Sequence, residues 1–126
     1  MKGFSLSKTK SSVAKLPYEK IKNDMLGKEY VVSLVFVGQK RAQVLNKTYR
    51  KKTYVPNVLA FPLDEKNGEI FICTPNLKSE APNYQMSVRT YTAYLFIHAL
   101  LHLKGHDHSD TMERIETQYL KKYGLV

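Results

Sequence analysis

The stretch from Ser87 to His108 reads SVRTYTAYLFIHALLHLKGHDH, and it decides both the architecture and the chemistry of the chain. Between Tyr91 and Leu103 it is almost wholly apolar, which predicts a buried helix that runs to Lys104. Ser87 is a favourable N-cap for this helix, and Gly105 suits the left-handed position that follows a helix end.

All four histidines of the protein fall at the end of this stretch. His98 and His102 are four residues apart, so a helix places both rings on one face. Gly105 permits a sharp reversal that brings back His108, and the pattern HxxxHxxGxxH is the ligand spacing of metzincin metalloproteases. Three histidine ligands leave one position on zinc open for water. The spacing therefore predicts one catalytic zinc ion per chain on His98, His102 and His108.

The alternative is that these histidines are structural residues of an amphipathic helix. Without a metal, His98 and His102 would be desolvated with no obvious partners, at a cost of about 1 to 3 kcal/mol each, which favours the metal. His106 is predicted not to be a ligand, because Gly105 breaks the helical register with His102. Asp107 is either an acceptor that orients a ligand imidazole or a turn residue.

The residue after the first histidine separates this pattern from the proteases. A peptidase of that type has a glutamate there as general base, whereas this chain has Ala99, which cannot move a proton. Metal-assisted cleavage of a phosphodiester needs only the activated water and a cation beside the phosphate. The substrate prediction therefore moves toward nucleic acid, with a metallohydrolase of another substrate as the alternative.

The remaining elements predict an α+β fold in which a mixed β-sheet is covered by helices, within one domain over residues 1–126. A hairpin turn is predicted over residues 64–68. A helix is predicted from Gln39 to Tyr49, with Ala42, Leu45 and Tyr49 as its apolar positions. The other predicted elements are strands over Tyr30–Val37, Asn57–Leu63 and Glu69–Thr74, a weaker helix over Ser12–Leu26 interrupted by Pro17, and a last helix from Asp110 to near Gly124.

Charge and cysteine content limit which binding partners and which cellular compartment are expected. The net charge is +9, and residues 1–60 hold 13 Lys and Arg against 3 acids. Among polyanionic partners this imbalance favours nucleic acid over an anionic membrane surface, but charge alone slightly favours an ordinary solvated lysine face. The single cysteine, Cys73, lies in an apolar run and is expected to be a buried strand residue. We expect a cytoplasmic protein with no export signal and no membrane span.

Three ordered motifs resemble the YbeY family of bacterial metal-dependent endoribonucleases. The family motif HGxLHLxGYDH corresponds to the histidine stretch, with Ala99 for glycine and His106 for tyrosine. LNxxYR corresponds to Leu45–Arg50, and GDIxIC corresponds to Gly68–Cys73 with Glu for Asp. The second motif, LNxxYR, leads into the segment TDVLSFP, which has drifted most, because its Thr, Asp and Ser are replaced by Pro56, Asn57 and Ala60.

The resemblance implies a single-strand-specific endoribonuclease with zinc on the three histidines. It also implies a role in small-subunit (16S) ribosomal RNA maturation and ribosome quality control, with single-stranded RNA and the small ribosomal subunit as partners. The family's arginine in the YR position, here Arg50, faces the metal, and a guanidinium is suited to binding a phosphate through two oxygens. A third class of function is a ribosome-associated RNA-binding protein whose metal only secures the fold.

The basic and aromatic residues near Arg50 in the sequence each have two possible roles. Lys47, Lys51 and Lys52 are predicted to contact the RNA backbone, or else simply to solvate a helix end. Tyr49 and Tyr54 could stack on bases, but core packing is the favoured interpretation for isolated tyrosines near a sheet. The sequence does not identify protein partners.

Overall fold

A computed structural model describes residues 3–8, 13–105 and 110–126, and it shows helices packed against one sheet. The strands are β1 (Phe4–Lys8), β2 (Val31–Val37), β3 (Val58–Asp64) and β4 (Asn67–Cys73). The helices are α1 (Tyr18–Leu26), α2 (Gln39–Arg50), α3 (Thr74–Glu80), α4 (Val88–Leu103) and α5 (Asp110–Lys122), with one 3-10 turn at Ala81–Tyr84 between α3 and α4.

The sheet is mixed, in the order β1-β2-β4-β3. β2 pairs in parallel with both β1 and β4, while β3 and β4 form the predicted antiparallel hairpin. Its tight turn is secured by Asp64, whose Oδ1 accepts a hydrogen bond from the Lys66 amide at 2.8 Å. The predicted α+β fold with a mixed sheet is therefore confirmed.

The central helix is α4, which is apolar on nearly every side because ten of its sixteen residues are buried. It packs on β3 and β4 and is covered by α1 and α5. Gly68 lets its end approach β4 closely, since a Cβ at this position would lie 2.8 Å from a methyl carbon of Leu103. This packing fixes where the histidines at the end of α4 lie relative to the sheet.

Both predicted ends of α4 are confirmed. Ser87 Oγ accepts a hydrogen bond from the Thr90 amide at 3.1 Å, an N-cap typically worth about 1 kcal/mol. At the other end Gly105 has φ of +102°, a backbone conformation that side-chain-bearing residues rarely adopt. Gly105 thus ends the histidine helix in a conformation that glycine adopts readily.

One strand, one helix and the 3-10 turn at Ala81–Tyr84 were not predicted from the sequence. β1 is an edge strand with four of its five residues exposed, so its hydrophobic pattern is weak and its pairing with β2 rests on the backbone. α3 begins at Thr74, which the sequence assigns to the end of a strand, and Pro75 occupies its first turn, where the missing N–H costs nothing.

The first two helices correct details of the prediction. Residues 13–17 are not helical, and α1 begins only after Pro17, so the proline starts this helix instead of interrupting it. In α2, Ala42 is buried as predicted, but Tyr49 is 67% exposed and Asn46 occupies the buried position. Tyr54 is 54% exposed, so the core-packing interpretation of Tyr49 and Tyr54 is wrong.

Two other expectations concern Cys73 and membrane insertion. Cys73 is a buried, free strand residue, as predicted. Within residues 3–8, 13–105 and 110–126, no helix is long and apolar enough to cross a lipid bilayer.

Candidate active site

A cavity of about 500 Å³ lies between one face of α4 and the segment that links α2 to β3. The residues that line it bring together three parts of the sequence that are far apart along the chain. Those with functional groups include Arg50, Tyr54, Asn57, Tyr84, His98 and His102. Two of the three predicted metal ligands and the predicted catalytic arginine therefore share one cavity.

The two histidines of α4 converge on each other. Their Nε2 atoms are 3.1 Å apart, and their rings lie nearly perpendicular with centroids 4.6 Å apart. In a tetrahedral zinc site with Zn–N distances near 2.05 Å, two ligand nitrogens are separated by roughly 3.3 Å. The pair therefore fits two adjacent positions on one zinc ion with little movement of either side chain.

Glu116 of α5 forms a hydrogen bond with His98 through Nδ1, the ring nitrogen that does not face His102. Its Oε2 lies 2.5 Å from His98 Nδ1, and the carboxyl side chain is only 3% exposed. With the proton on Nδ1 donated to this oxygen, the Nε2 lone pair is left for a metal, which is how carboxylates commonly orient histidine ligands. The expectation that His98 has no obvious protein partner is therefore wrong.

Glu116 is a residue of the site that was not predicted from the sequence. The sequence contains a signal for it, because Met112, Glu116 and Leu120 are four residues apart and a helix places them on one face. The structure shows that all three are buried on α5. A carboxyl side chain on an otherwise apolar stripe requires a polar partner, and the nearby helix contains the histidines.

The remaining residues of the predicted metal site lie outside the described part of the chain. His106, Asp107 and His108 belong to residues 106–109, so their predicted roles stay predictions. Among the residues that the structure describes, no group of three or more His, Cys, Asp and Glu side chains could hold a metal ion. His98 and His102 are thus candidates for two ligands, and His108 stays the predicted third.

Arg50 is held in place by the helix that carries it. Its Nη1 donates hydrogen bonds to Asn46 Oδ1 at 3.2 Å and to the Tyr54 hydroxyl at 3.3 Å. Asn46 is fully buried and also donates from Nδ2 to the Tyr54 carbonyl at 3.0 Å, so it ties the loop after α2 to the helix. The guanidinium is therefore positioned at the cavity, although it remains exposed.

The lysines around Arg50 are arranged differently. Lys47, Lys51 and Lys52 are exposed and do not line the cavity. Lys51 ends α2 in the left-handed conformation, with φ of +59°. These lysines are thus exposed neighbours of Arg50 in the chain, and their contact with RNA stays a prediction.

Two cavity residues limit the proton chemistry. Ala99 lines the cavity and is buried, so the site has no glutamate base at the position that a peptidase uses. Burial, assisted by the nearby Glu116, raises the pKa of Tyr94 to about 12. Tyr94 is therefore a neutral phenol at physiological pH and can donate a hydrogen bond but cannot act as a base.

The structure explains the departure from the family motif at Asn57. Its Nδ2 lies 3.3 Å from Glu80 Oε1 and 3.3 Å from the Tyr91 hydroxyl, while that hydroxyl donates to the same carboxyl oxygen at 2.6 Å. Burial and then the Glu80 contact raise the pKa of Tyr91. An aspartate at this position would lack the amide donor and would place a second carboxylate beside Glu80.

The fold and this cavity define an α+β domain in which a histidine pair and an arginine line one cavity. The sequence model of the family described as "Endoribonuclease YbeY" matches residues 3–124. A relative of that name in Cupriavidus metallidurans is 32% identical over 98% of this chain and 68% of its own length. Another, in Finegoldia magna, is 36% identical over 76% of this chain and 71% of its own. The chain belongs to the YbeY endoribonuclease family.

A solved structure supports the fold independently. The solution structure of TM1509 from Thermotoga maritima superposes with a TM-score of 0.65, covering 95% of this chain and 88% of that one. The two sequences are 22% identical, so this likeness speaks to the fold alone.

The Asn57 network yields a prediction. Asn57→Asp should lower the free energy of unfolding at pH 7 by about 1 to 3 kcal/mol, because a hydrogen-bond donor is replaced by a second carboxylate. Urea unfolding measures the change. Asn83→Asp, which makes the same charge change at an exposed position, is the control and should have little effect. Equal stability of Asn57→Asp and wild type would mean that the network is not formed in solution.

Proposed function

We propose that this protein is a zinc-dependent endoribonuclease that cleaves single-stranded RNA in the maturation of small-subunit ribosomal RNA. Its family makes it an endoribonuclease, a hydrolase that acts on RNA. The observation that carries the zinc dependence is the pair of Nε2 atoms of His98 and His102, 3.1 Å apart in the cavity that Arg50 also lines.

Each side chain of the cavity has a distinct task in this proposal. His98, His102 and His108 hold the ion, which when bound would polarise the phosphate and activate a water for attack on phosphorus. Glu116 keeps His98 in the tautomer and orientation that a ligand needs. Arg50 binds non-bridging phosphate oxygens and offsets the charge that develops during cleavage.

RNA is the substrate that best suits the surroundings of the cavity. The exposed Lys47, Lys51 and Lys52 adjoin Arg50, so an RNA backbone entering the cavity would pass several cations. Ala99 leaves the cavity without the base that peptide hydrolysis requires. We further propose that ribosomal RNA of the small subunit is the physiological partner, that residues 1–126 form one domain, and that the protein acts in the cytoplasm.

The Glu116 contact predicts a loss of metal affinity that does not depend on any assay of activity. Glu116→Gln keeps the size of the side chain but weakens the acceptor for His98 Nδ1, so zinc affinity should fall roughly ten- to a hundredfold. Competition with a chromogenic chelator measures this affinity.

Glu113→Gln is the matched control for that variant. It makes the same substitution three residues earlier on α5, at an exposed position, and should leave zinc affinity unchanged. Circular dichroism establishes that both variants are folded. If Glu116→Gln bound zinc as tightly as wild type, the assignment of Glu116 to the metal site would be wrong.

The geometry at Arg50 predicts that a lysine at this position will not support RNA cleavage at the wild-type rate. Only arginine has a planar fork that holds two phosphate oxygens while also donating to Asn46 and Tyr54. Arg50→Lys should therefore slow single-turnover cleavage of a short single-stranded RNA by roughly a hundredfold or more, with a smaller loss of RNA binding.

Arg41→Lys provides the comparison for Arg50→Lys. Arg41 lies on the same helix but does not line the cavity, and its guanidinium packs 6.0 Å from the ring centre of Phe71. This control should cleave at the wild-type rate. Cleavage by Arg50→Lys at the wild-type rate would reduce Arg50 to a diffuse electrostatic contact.

A further inference from the structure

We propose that Tyr84 forms a stacking site for one unpaired nucleobase of the RNA, beside the phosphate that is cleaved. The site consists of an aromatic wall made of Tyr84, Tyr91 and Tyr94. This inference rests on the proposed function, because it names how the same cavity selects its substrate.

The three rings of the aromatic wall contact one another. Tyr84 stacks on Tyr91 with ring centroids 5.0 Å apart and an interplanar angle of 26°. Tyr94 lies 5.8 Å from Tyr84 and 6.1 Å from Tyr91. The rings come from two elements, since Tyr84 ends the 3-10 turn and the other two lie on α4.

The back of the wall is rigid. Tyr91 is completely buried, and its hydroxyl is held by Glu80 at 2.6 Å and by Asn57 at 3.3 Å. The turn that carries Tyr84 is also anchored, because the Met86 amide donates to the carbonyl of the buried Ala81 at 3.1 Å. A base that stacks on Tyr84 would therefore meet a ring whose position is already fixed, which reduces the entropic cost of binding.

The front of the wall is open. Tyr84 is 49% exposed although one of its faces is covered by Tyr91, and it lines the cavity together with Tyr94. Large exposed aromatic rings that face a basic nucleic-acid cleft are typical stacking platforms, because every base presents an apolar face. Tyr94 remains a neutral phenol in this setting and can add a hydrogen bond to the base or the sugar.

The wall leads directly to the histidine pair. Tyr94 is 6.1 Å from the His98 ring, so two ring-to-ring steps of 5.8 and 6.1 Å separate Tyr84 from the proposed metal ligand. A nucleotide whose phosphate reaches His98 therefore has its base, or that of its neighbour, within reach of Tyr84. In a duplex both faces of each base are covered, so the stacking site favours single-stranded RNA and is indifferent to sequence.

Stacking is tested directly with a fluorescent base. Short 2′-O-methyl, phosphorothioate-linked oligonucleotides that resist cleavage each carry 2-aminopurine at one position, and its fluorescence is quenched when it stacks. The zinc-loaded protein should quench the probe most strongly at one position. Tyr84→Leu should abolish that quenching and weaken binding roughly five- to 150-fold, whereas Tyr84→Phe should retain both.

Tyr49→Leu is the matched control, because Tyr49 is the more exposed tyrosine but does not line the cavity. It should leave the quenching at that position unchanged, because a base that stacked on Tyr49 would lie outside the cavity. If wild type cleaves natural RNA but Tyr84→Leu quenches and binds like wild type, the stacking site is wrong and the proposed function stands. If wild type neither binds nor cleaves single-stranded RNA, both proposals fall.

Discussion

The hydrogen bond between His98 and Glu116 is the interaction on which the site depends. It joins the buried helix α4 to α5, and with the carboxyl side chain only 3% exposed, neither partner has ready access to solvent as a substitute. Removing either side chain would leave the other desolvated without its hydrogen bond, which lowers the free energy of unfolding far more than the loss of an exposed contact. The same bond aims His98 Nε2 at His102. The packing of α5 on α4 therefore also sets the orientation of the histidine pair.

The other half of the cavity depends on a second buried polar side chain. Asn46 is inaccessible to solvent, yet its amide connects Arg50 to the loop that contains Tyr54. Two functional groups, the exposed Arg50 and the mostly buried His98, are thus each positioned by a buried polar residue on a helix. This arrangement keeps the reacting groups accessible to a polymeric substrate while their directions are set by the core.

Much of this could be predicted from the sequence, and the failures have physical reasons. The limits of α4 were predictable because Ser87 and Gly105 have local conformational roles that hardly depend on the rest of the fold. Arg50 was assigned only through the family motif, since a cation at a helix end is usually solvated. Glu116 and the stack of Tyr84 on Tyr91 were not predicted, because each depends on a contact between segments whose relative placement no local pattern specifies. The exposed Tyr49 shows the same limit, as helical spacing identified a face but not which residue on it is buried.

The most direct test of the account is metal-dependent cleavage of single-stranded RNA by wild type and His102→Ala. His102 is the better choice for substitution, because replacing His98 would leave Glu116 without its partner in the core. Wild type should cleave with zinc, stop when a chelator strips the metal and recover when zinc is restored, while folded His102→Ala should lose both bound zinc and cleavage. His106→Ala, predicted not to be a ligand, should retain both. Cleavage by the stripped wild type, or by His102→Ala at the wild-type rate, would contradict the proposed metal site.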